Sequence, residues 1–271
     1  MNYFPRVRSK NHSLDSLRRS HRGLPALPVR SIVRFGSTTP TESIFFNKGK
    51  VVEINTVEAV KTSSSKLRMK AAFDRAGVHH PEWFTLSTRG VEDSKGNLVP
   101  EEDLPYPIVL KRIFGSRGVG MELLTSVEDL HKHIVDKKYY YLEKYYSYVR
   151  EYRLHCTVSG CFYACRKMLK EGAENRWYRN DSNCVWYLDT NETFDRPSNW
   201  DSIVEDCVKA LKGVGLDFGA FDVRVQSSDK ILPSFMIIEV NSAPSFGEVT
   251  ELKYKEILPK LIMNKANASN R

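Results

Sequence analysis

The chain has 271 residues, 41% hydrophobic and 27% charged, with 41 Lys+Arg against 33 Asp+Glu and a formal net charge of +8. These values fit one large globular domain or two small lobes. No apolar run approaches the roughly 20 residues that span a bilayer, and the polar, Arg-rich N-terminus lacks a secretory apolar core. Residues 1–34 hold eight basic residues (Arg6, Arg8, Lys10, Arg18, Arg19, Arg22, Arg30 and Arg34) and one acid, Asp15, so this stretch carries +7 and the remainder +1. A globally basic surface that coats nucleic acid is therefore excluded.

Residues 1–30, rich in Ser, Arg and His and containing Pro5, Pro25 and Pro28, predict a poorly ordered basic arm. A solvated tail, an arm that contacts an acidic partner and a transit segment all remain open readings of it. Ser31–Phe35 predicts a strand ended by Gly36 to Pro40, and Ile44–Phe46 and Val51–Ile54 predict strands about a Lys48-Gly49 turn. Ser63-Ser64-Ser65 precedes a helix over Lys66–Ala76, with Gly77 as its stop and Pro81 beyond. His79 and His80 read as surface-loop residues.

Ile108–Lys111 predicts a strand, Gly115–Gly120 a loop and Met121–Leu124 a short strand. Val127–Val135 predicts a helix capped by Ser126, with Glu128 and Asp129 in its first turn. Tyr139–Glu143 predicts a strand, and Val149–Thr157 with Cys161–Leu169 a hairpin about Ser159-Gly160. Trp200–Val214 predicts a helix ended by Gly213 and Gly215. Phe218–Val225 and Phe235–Val240 predict an antiparallel pair joined by the polar loop Gln226–Lys230. The five cysteines, Cys156, Cys161, Cys165, Cys184 and Cys207, are odd in number and form no CxxC pair. They read as reduced thiols of a cytoplasm-like compartment rather than a metal site.

Two groups of residues carry chemistry. Lys111 ends an apolar strand four residues before Gly115-Ser116-Arg117-Gly118-Val119-Gly120. Glycines there let backbone N–H groups approach phosphate oxygens, and the lysine adds a point charge. The pattern is neither a Walker loop, since no GK[ST] follows, nor a dinucleotide fingerprint, since a strand follows the last glycine. A plain hairpin turn stays open as its reading. Asp222, Glu239 and Asn241 lie on the two late strands, and period-two alternation puts Glu239 and Asn241 on one face. Two carboxylates and an amide oxygen suit Mg²⁺ with phosphates completing its shell.

The order is a Lys before a helix, a Lys before a Gly loop, an acidic hinge strand, a late Asp and then Glu-x-Asn. It resembles the ATP-grasp carboxylate–amine ligases, and among them most the ribosomal-protein glutamate ligase-like branch, with D-alanine–D-alanine ligase more distant. The likeness spans about Lys66 to Ile262, and the compact size is similar to phage-encoded members. It implies an α+β ATP-grasp fold, two α+β lobes gripping ATP. Residues 61–271 would form this domain, with a nucleotide-loop lobe at about 105–145 and a metal-binding lobe at about 146–271. Residues 31–60 would be a reduced N-terminal substrate-side region.

The resemblance makes Lys66 and Lys111 the nucleotide-phosphate lysines. Gly115, Ser116, Gly118 and Gly120 become the flexible loop that closes over the phosphates. Glu143 would accept from the adenine amino group, the Lys144–Tyr145 backbone would contact the ring edge, and Glu151 would bind the ribose. Arg166 would stand near the transferred phosphate and act with Lys111 in catalysis, and Asn180 would lie on the nucleotide side. Asp222, Glu239 and Asn241 would hold the metal, Glu239 bridging two ions.

The implied activity is ATP-dependent amide formation through an acyl phosphate, with ADP as product. ATP and two Mg²⁺ are the implied cofactors, with Mn²⁺ as a substitute. The implied substrates are a small-molecule or peptide carboxylate and an amine, the acceptor being an amino acid, a peptide or a protein terminus. No membrane or specific nucleic acid is implied, and the expected location is cytoplasmic. Arg117, and Asn241-Ser242-Ala243-Pro244-Ser245-Phe246 in place of Asn-x-x-Pro-Gly, depart from the pattern on the substrate side. Two alternatives stay open: an ATP-grasp enzyme with a non-amine acceptor, and a non-catalytic nucleotide-binding or structural protein.

Overall fold

A computed structural model of the chain describes residues 1–10, 17, 23–45, 49–115, 118–133, 136–180, 182–190, 194–226, 234–245 and 247–269. The N-terminal strands β1 (Arg6–Ser9), β2 (Arg30–Phe35) and β3 (Val51–Ile54) form a parallel sheet in the order β1-β2-β3. The expected unpacked arm is therefore corrected. Arg6 to Ser9 pair with Ile32 to Phe35, and Val7, Leu17, Leu24 and Leu27 are buried in the same core as Val33 and Phe35. Burying four aliphatic side chains, at roughly 1.5–3 kcal/mol each, outweighs the low overall hydrophobicity of the stretch. The rest of that arm, residues 11–16 and 18–22, lies outside the described residues. The expected strand at Ile44–Phe46 is not formed by its described part: Ile44 and Phe45 donate their N–H groups to Thr41 O in a turn, both at 3.0 Å. Phe46 and the turn residue Lys48 lie outside the described residues.

Helices α1 (Val57–Ser64) and α2 (Lys66–Ala76) follow. Thr56 and Ser65 cap them, their hydroxyls accepting from the N–H groups of Ala59 and Arg68. Next comes a six-stranded sheet of β4 (Trp83–Ser87), β5 (Gly90–Asp93), β6 (Leu98–Val99), β7 (Ile108–Arg112), β8 (Glu122–Leu124) and β9 (Tyr140–Lys144). Its order is β6-β5-β4-β9-β7-β8, with α3 (Val127–His133) between β8 and β9 in sequence. Of the helix expected here, Val135 lies outside the described residues. This lobe begins at Trp83, earlier than the reading of about 105, because β4 pairs with β9 (Trp83 opposite Glu143) and carries β5 and β6 with it.

The second lobe is an antiparallel sheet of β10 (Arg150–Thr157), β11 (Gly160–Leu169), β12 (Cys184–Leu188), β13 (Phe218–Val225) and β14 (Phe235–Asn241), in the order β12-β11-β10-β13-β14. One face packs on α2 and α4 (Trp200–Val214) through Met69, Phe73, Tyr152, Leu154, Cys207, Leu211, Phe221 and Val223. Gly213, expected as a helix stop, instead sits inside α4. A Cβ there would lie 2.9 Å from the Ala76 side chain and 3.1 Å from Ala72 O, so glycine is what lets the two helices approach. The helix ends at Gly215 in the left-handed region, φ 83°. The opposite face is divided. At one end Phe218 meets Phe35 and Tyr254 of α5 (Glu248–Ala268), an unexpected helix that holds Pro259. At the other end it carries charges.

Candidate active site

Helix α2 reaches both lobes. Lys66 and Lys70 are one turn apart and share a face. Lys66 Nζ is ion-paired to Glu239 Oε2 on β14, and Lys70 Nζ lies 2.8 Å from Glu143 Oε2 on β9. Lys111 of β7 takes the other oxygen, Oε1, of the same Glu143. This diagonal contact follows from the register, in which Val109 faces Glu143 and Lys111 faces Tyr141. The Tyr141 hydroxyl donates to Glu143 Oε2 at 3.3 Å. Both lysines on Glu143 are buried, Lys70 fully and Lys111 with 8% exposed, so of the two only Lys111 reaches solvent at all.

On the five-stranded sheet Asp222 lies directly opposite Glu239 and opposite Arg153. Arg153 grips Asp222 with two bonds, Nε to Oδ1 at 2.7 Å and Nη2 to Oδ2 at 2.9 Å. Lys167 bridges Glu151 Oε1 at 2.7 Å and Asp222 Oδ2 at 3.0 Å, and Arg224 Nε donates to Glu151 Oε2 at 3.1 Å. Trp186 underlies this pair of cations, with Arg153 at 4.9 Å and Lys167 at 5.2 Å from the ring centroid. Asn241 Nδ2 donates to Glu239 Oε1 at 3.0 Å.

Two bulges set these pairings. In the β10–β11 hairpin Cys156 faces Cys161, but past a register shift at His155 every partner moves by one, so Glu151 faces Lys167. Counting back from the turn without the bulge would pair Glu151 with Arg166. In β13–β14 a shift between Asp222 and Val223 brings Glu239 opposite Asp222, where the pairing at Val225–Phe235 would have brought Ile238. Bulges recur next to functional sites because they re-aim side chains.

The charges hold one another ionised. Burial alone would raise Asp222, but Arg153 and Lys167 outweigh it and hold the carboxyl well below its ordinary range. Burial likewise opposes, and Lys66 overcomes, the ionisation of Glu239. Glu143 is brought down to about 2, against its burial, by Lys111 and Lys70. Burial pushes both of those lysines down, Lys111 to about 8. Six cations (Lys66, Lys70, Lys111, Arg153, Lys167, Arg224) face four carboxylates (Glu143, Glu151, Asp222, Glu239), an excess of two positive charges. Such a cluster suits a polyanion.

The structure thus brings Lys66, Lys111, Glu143, Glu151, Asp222, Glu239 and Asn241 together. It does not bring Arg166 to them. Arg166 pairs with Tyr152 and lies over that ring, on the face packed against α4, and Lys167 takes the face of Asp222. The Glu143 carboxylate is held by the two lysines, and the N–H groups of Lys144 and Tyr145 donate to Glu82 O at 2.8 Å and Pro107 O at 3.0 Å. Glu151 is buried between Lys167 and Arg224. Asn180 organises its own turn, its Oδ1 accepting from Ser182 N and Asn183 N. A Cβ on Gly115 would lie 3.3 Å from Arg112 Cβ, and Gly118 and Gly120 hold positive φ of 74° and 71°, a conformation glycine adopts without strain. Ser116 and Arg117 lie outside the described residues. Sequence reading missed Lys70, Arg153, Lys167, Arg224 and Trp186. Strand parity signals two of them, since Arg153 and Arg224 stand two residues from Glu151 and Asp222, and helical spacing signals Lys70.

Among the described residues no group of three or more His, Cys, Asp and Glu side chains could hold a metal ion. Asp222, Glu239 and Asn241 offer instead two ionised carboxylates and an amide on neighbouring strands. That oxygen donor set fits a hard divalent cation. Among the described residues no helix is long and apolar enough to cross a membrane.

No protein-family model matches the chain, and no curated protein matches it. Solved structures do. The D-Ala:D-Ser ligase VanG of Enterococcus faecalis superposes with a TM-score of 0.62 at 16% identity, over 89% of this chain and 74% of that one. Biotin carboxylase of Campylobacter jejuni, solved as a β-γ-ATP complex, gives 0.58 at 19% identity over 86% of this chain and 53% of its own. The ATP-grasp ligase PsnB, solved with a minimal precursor, gives 0.60 at 11% identity over 97% of this chain and 99% of its own. The chain has the ATP-grasp fold. It spans about half the length of the biotin carboxylase and nearly all of PsnB.

Proposed function

We propose that this protein is an ATP-dependent carboxylate–amine ligase. The observation that carries the reading is the buried ion-pair cluster with two positive charges in excess, built from both lobes of an ATP-grasp fold. A substrate carboxylate attacks the γ-phosphate of ATP, the bond to the β-phosphate oxygen breaks, and an acyl phosphate and ADP result. An amine then attacks the acyl carbon, phosphate leaves, the nitrogen loses a proton and an amide remains. Phosphoryl transfer needs placement and charge neutralisation more than covalent help.

Lys66 and Lys111 bind phosphate oxygens. Lys167 and Arg153, on the site face of their sheet, take the part expected of Arg166 beside the transferred group. Asp222, Glu239 and Asn241 would hold Mg²⁺, which when bound neutralises phosphate charge; one ion or two, and replacement by Mn²⁺, belong to the same reading. The hinge at Glu143–Tyr145 borders the purine, with Glu151 and Asn180 on the nucleotide side. Gly115, Ser116, Gly118 and Gly120 cover the phosphates. The likeness to PsnB over the full length of both chains supports an acceptor of precursor type, a peptide or protein terminus, as in the ribosomal-protein glutamate ligase-like branch.

Incubation with ATP, Mg²⁺ and pooled amino acids and peptides, followed by mass spectrometry, tests this. The expected products are ADP, phosphate and a condensation product lighter by one water than its two substrates. ADP release that no carboxylate or amine pool stimulates would overturn the ligase reading.

A further inference from the structure

Glu143 is 2% exposed and carries two ammonium partners, Lys70 on Oε2 at 2.8 Å and Lys111 on Oε1. One carboxylate cannot neutralise both. The two lysines differ in exposure, because Lys70 is fully buried under α2 while Lys111 keeps 8% of its surface exposed. The N-terminus of α2 is pinned to the same sheet, Lys66 N donating to Ile113 O at 3.0 Å, so Lys70 is carried on a fixed support.

We propose that Lys70 is a positioning residue that keeps Glu143 neutralised when Lys111 turns from it to a nucleotide phosphate. This rests on the nucleotide-binding reading above. Without Lys70, the departure of Lys111 would strand a buried carboxylate, and that penalty would hold Lys111 in place. With Lys70, the carboxylate keeps a partner in both arrangements, and Lys111 is free to move.

The groups facing the pair are Glu143 and Tyr141 from β9, Lys66 from α2, Arg224 from β13, Glu239 from β14 and His80 from the loop after α2. Burial, reinforced by the neighbouring Lys70 and Arg224 charges, brings Lys111 down to about 8 against the pull of Glu143. Near pH 8 to 9 part of Lys111 is therefore neutral, and an arriving phosphate restores its proton. Nucleotide binding should take up protons from the buffer in that range.

Calorimetric titration with the imido analogue of ATP plus Mg²⁺, in buffers of different ionisation enthalpy, reads both affinity and proton uptake. Lys70→Met should weaken binding by about tenfold or more and reduce the uptake, because Lys111 then has Glu143 to itself while its burial remains. Lys70→Arg keeps a permanent charge on Glu143 and should retain the uptake. A mere packing role predicts no loss of uptake in a folded Lys70→Met protein, and wild-type affinity with wild-type uptake there would overturn the proposal. If Lys70→Met does not fold, Lys70→Arg decides: uptake retained supports the role, and uptake lost overturns it. A wild type that binds no analogue would remove the nucleotide reading and this role together; unchanged Lys70→Met beside a binding wild type removes this role alone.

Discussion

Lys111 and Lys167 stand on the two sheets, or walls, of the site, both nearly inaccessible, and their ionisation is pushed in opposite directions. Lys167 touches two carboxylates, Glu151 and Asp222, and is raised above its ordinary value despite burial. Lys111 shares one carboxylate with Lys70 and is lowered, because there burial prevails. Burial is common to both, so the count of carboxylates per ammonium decides the sign. Each wall carries one positive charge in excess, three cations on Glu151 and Asp222 and two on Glu143. They differ in linkage: Lys167 is held between two carboxylates, whereas Lys111 shares its one carboxylate with Lys70, and an arriving polyphosphate would give it a second anion.

The contrast is sharpest in paired substitutions. Lys167→Met leaves Glu151 with Arg224 and Asp222 with Arg153 but removes charge-assisted bonds from both carboxylates, and it should cost about 1.5–3 kcal/mol in chemical denaturation. Lys111→Met should do the reverse. Glu143 keeps Lys70, a poorly compensated charge disappears, and the nucleotide-free protein should be unchanged or stabilised by up to about 3 kcal/mol. Equal destabilisation by the two variants would break the comparison.

The same difference has a pH signature. Lys111 titrates at about 8 in the folded protein against 10.5 unfolded. Between those values the unfolded chain binds more protons, so stability rises with pH there. The penalty is fully present below pH 8 and gone above pH 10.5. The advantage of Lys111→Met over wild type should shrink across that window, as denaturation midpoints at several pH values would show. On the acid side Glu143 is lowered from 4.5 to about 2, so its contribution is present above 4.5 and is lost as pH falls through 2. Glu143→Gln should flatten that limb. The smallest stability change is expected for Glu239→Gln, about 1 kcal/mol or less, since among the described residues Glu239 pairs with one cation, Lys66, and both side chains are partly exposed. Its ATP turnover should nonetheless be lost, and wild-type turnover would remove Glu239 from the metal set.

Much of this was legible. Hydrophobic spacing marks Lys66–Ala76 and Trp200–Val214 as helices, and both form with those bounds. The two late strands and the hairpin at Ser159-Gly160 also form as read. The N-terminal strand was hidden because β1 is four residues long, and its strand partner among the described residues, β2, begins at Arg30. α5 was hidden by Pro259, which on local grounds argues against a helix.

Within the site, the residue types and their order are properties of the sequence alone. They specify lysines before a helix and a glycine loop, and a late Asp followed by Glu-x-Asn. Which neighbouring residue faces the cleft was decided only by tertiary pairing. Arg166 and Lys167 are both cations on one strand, and a bulge at His155 selects Lys167; a second bulge at Asp222 selects Glu239 over Ile238. A strand's side chains alternate every residue, so a single inserted residue exchanges the faces, and no local pattern reports where that insertion falls. The sharing of Glu143 by Lys70 and Lys111 is likewise tertiary, because it joins a helix to two strands that only the folded chain places side by side.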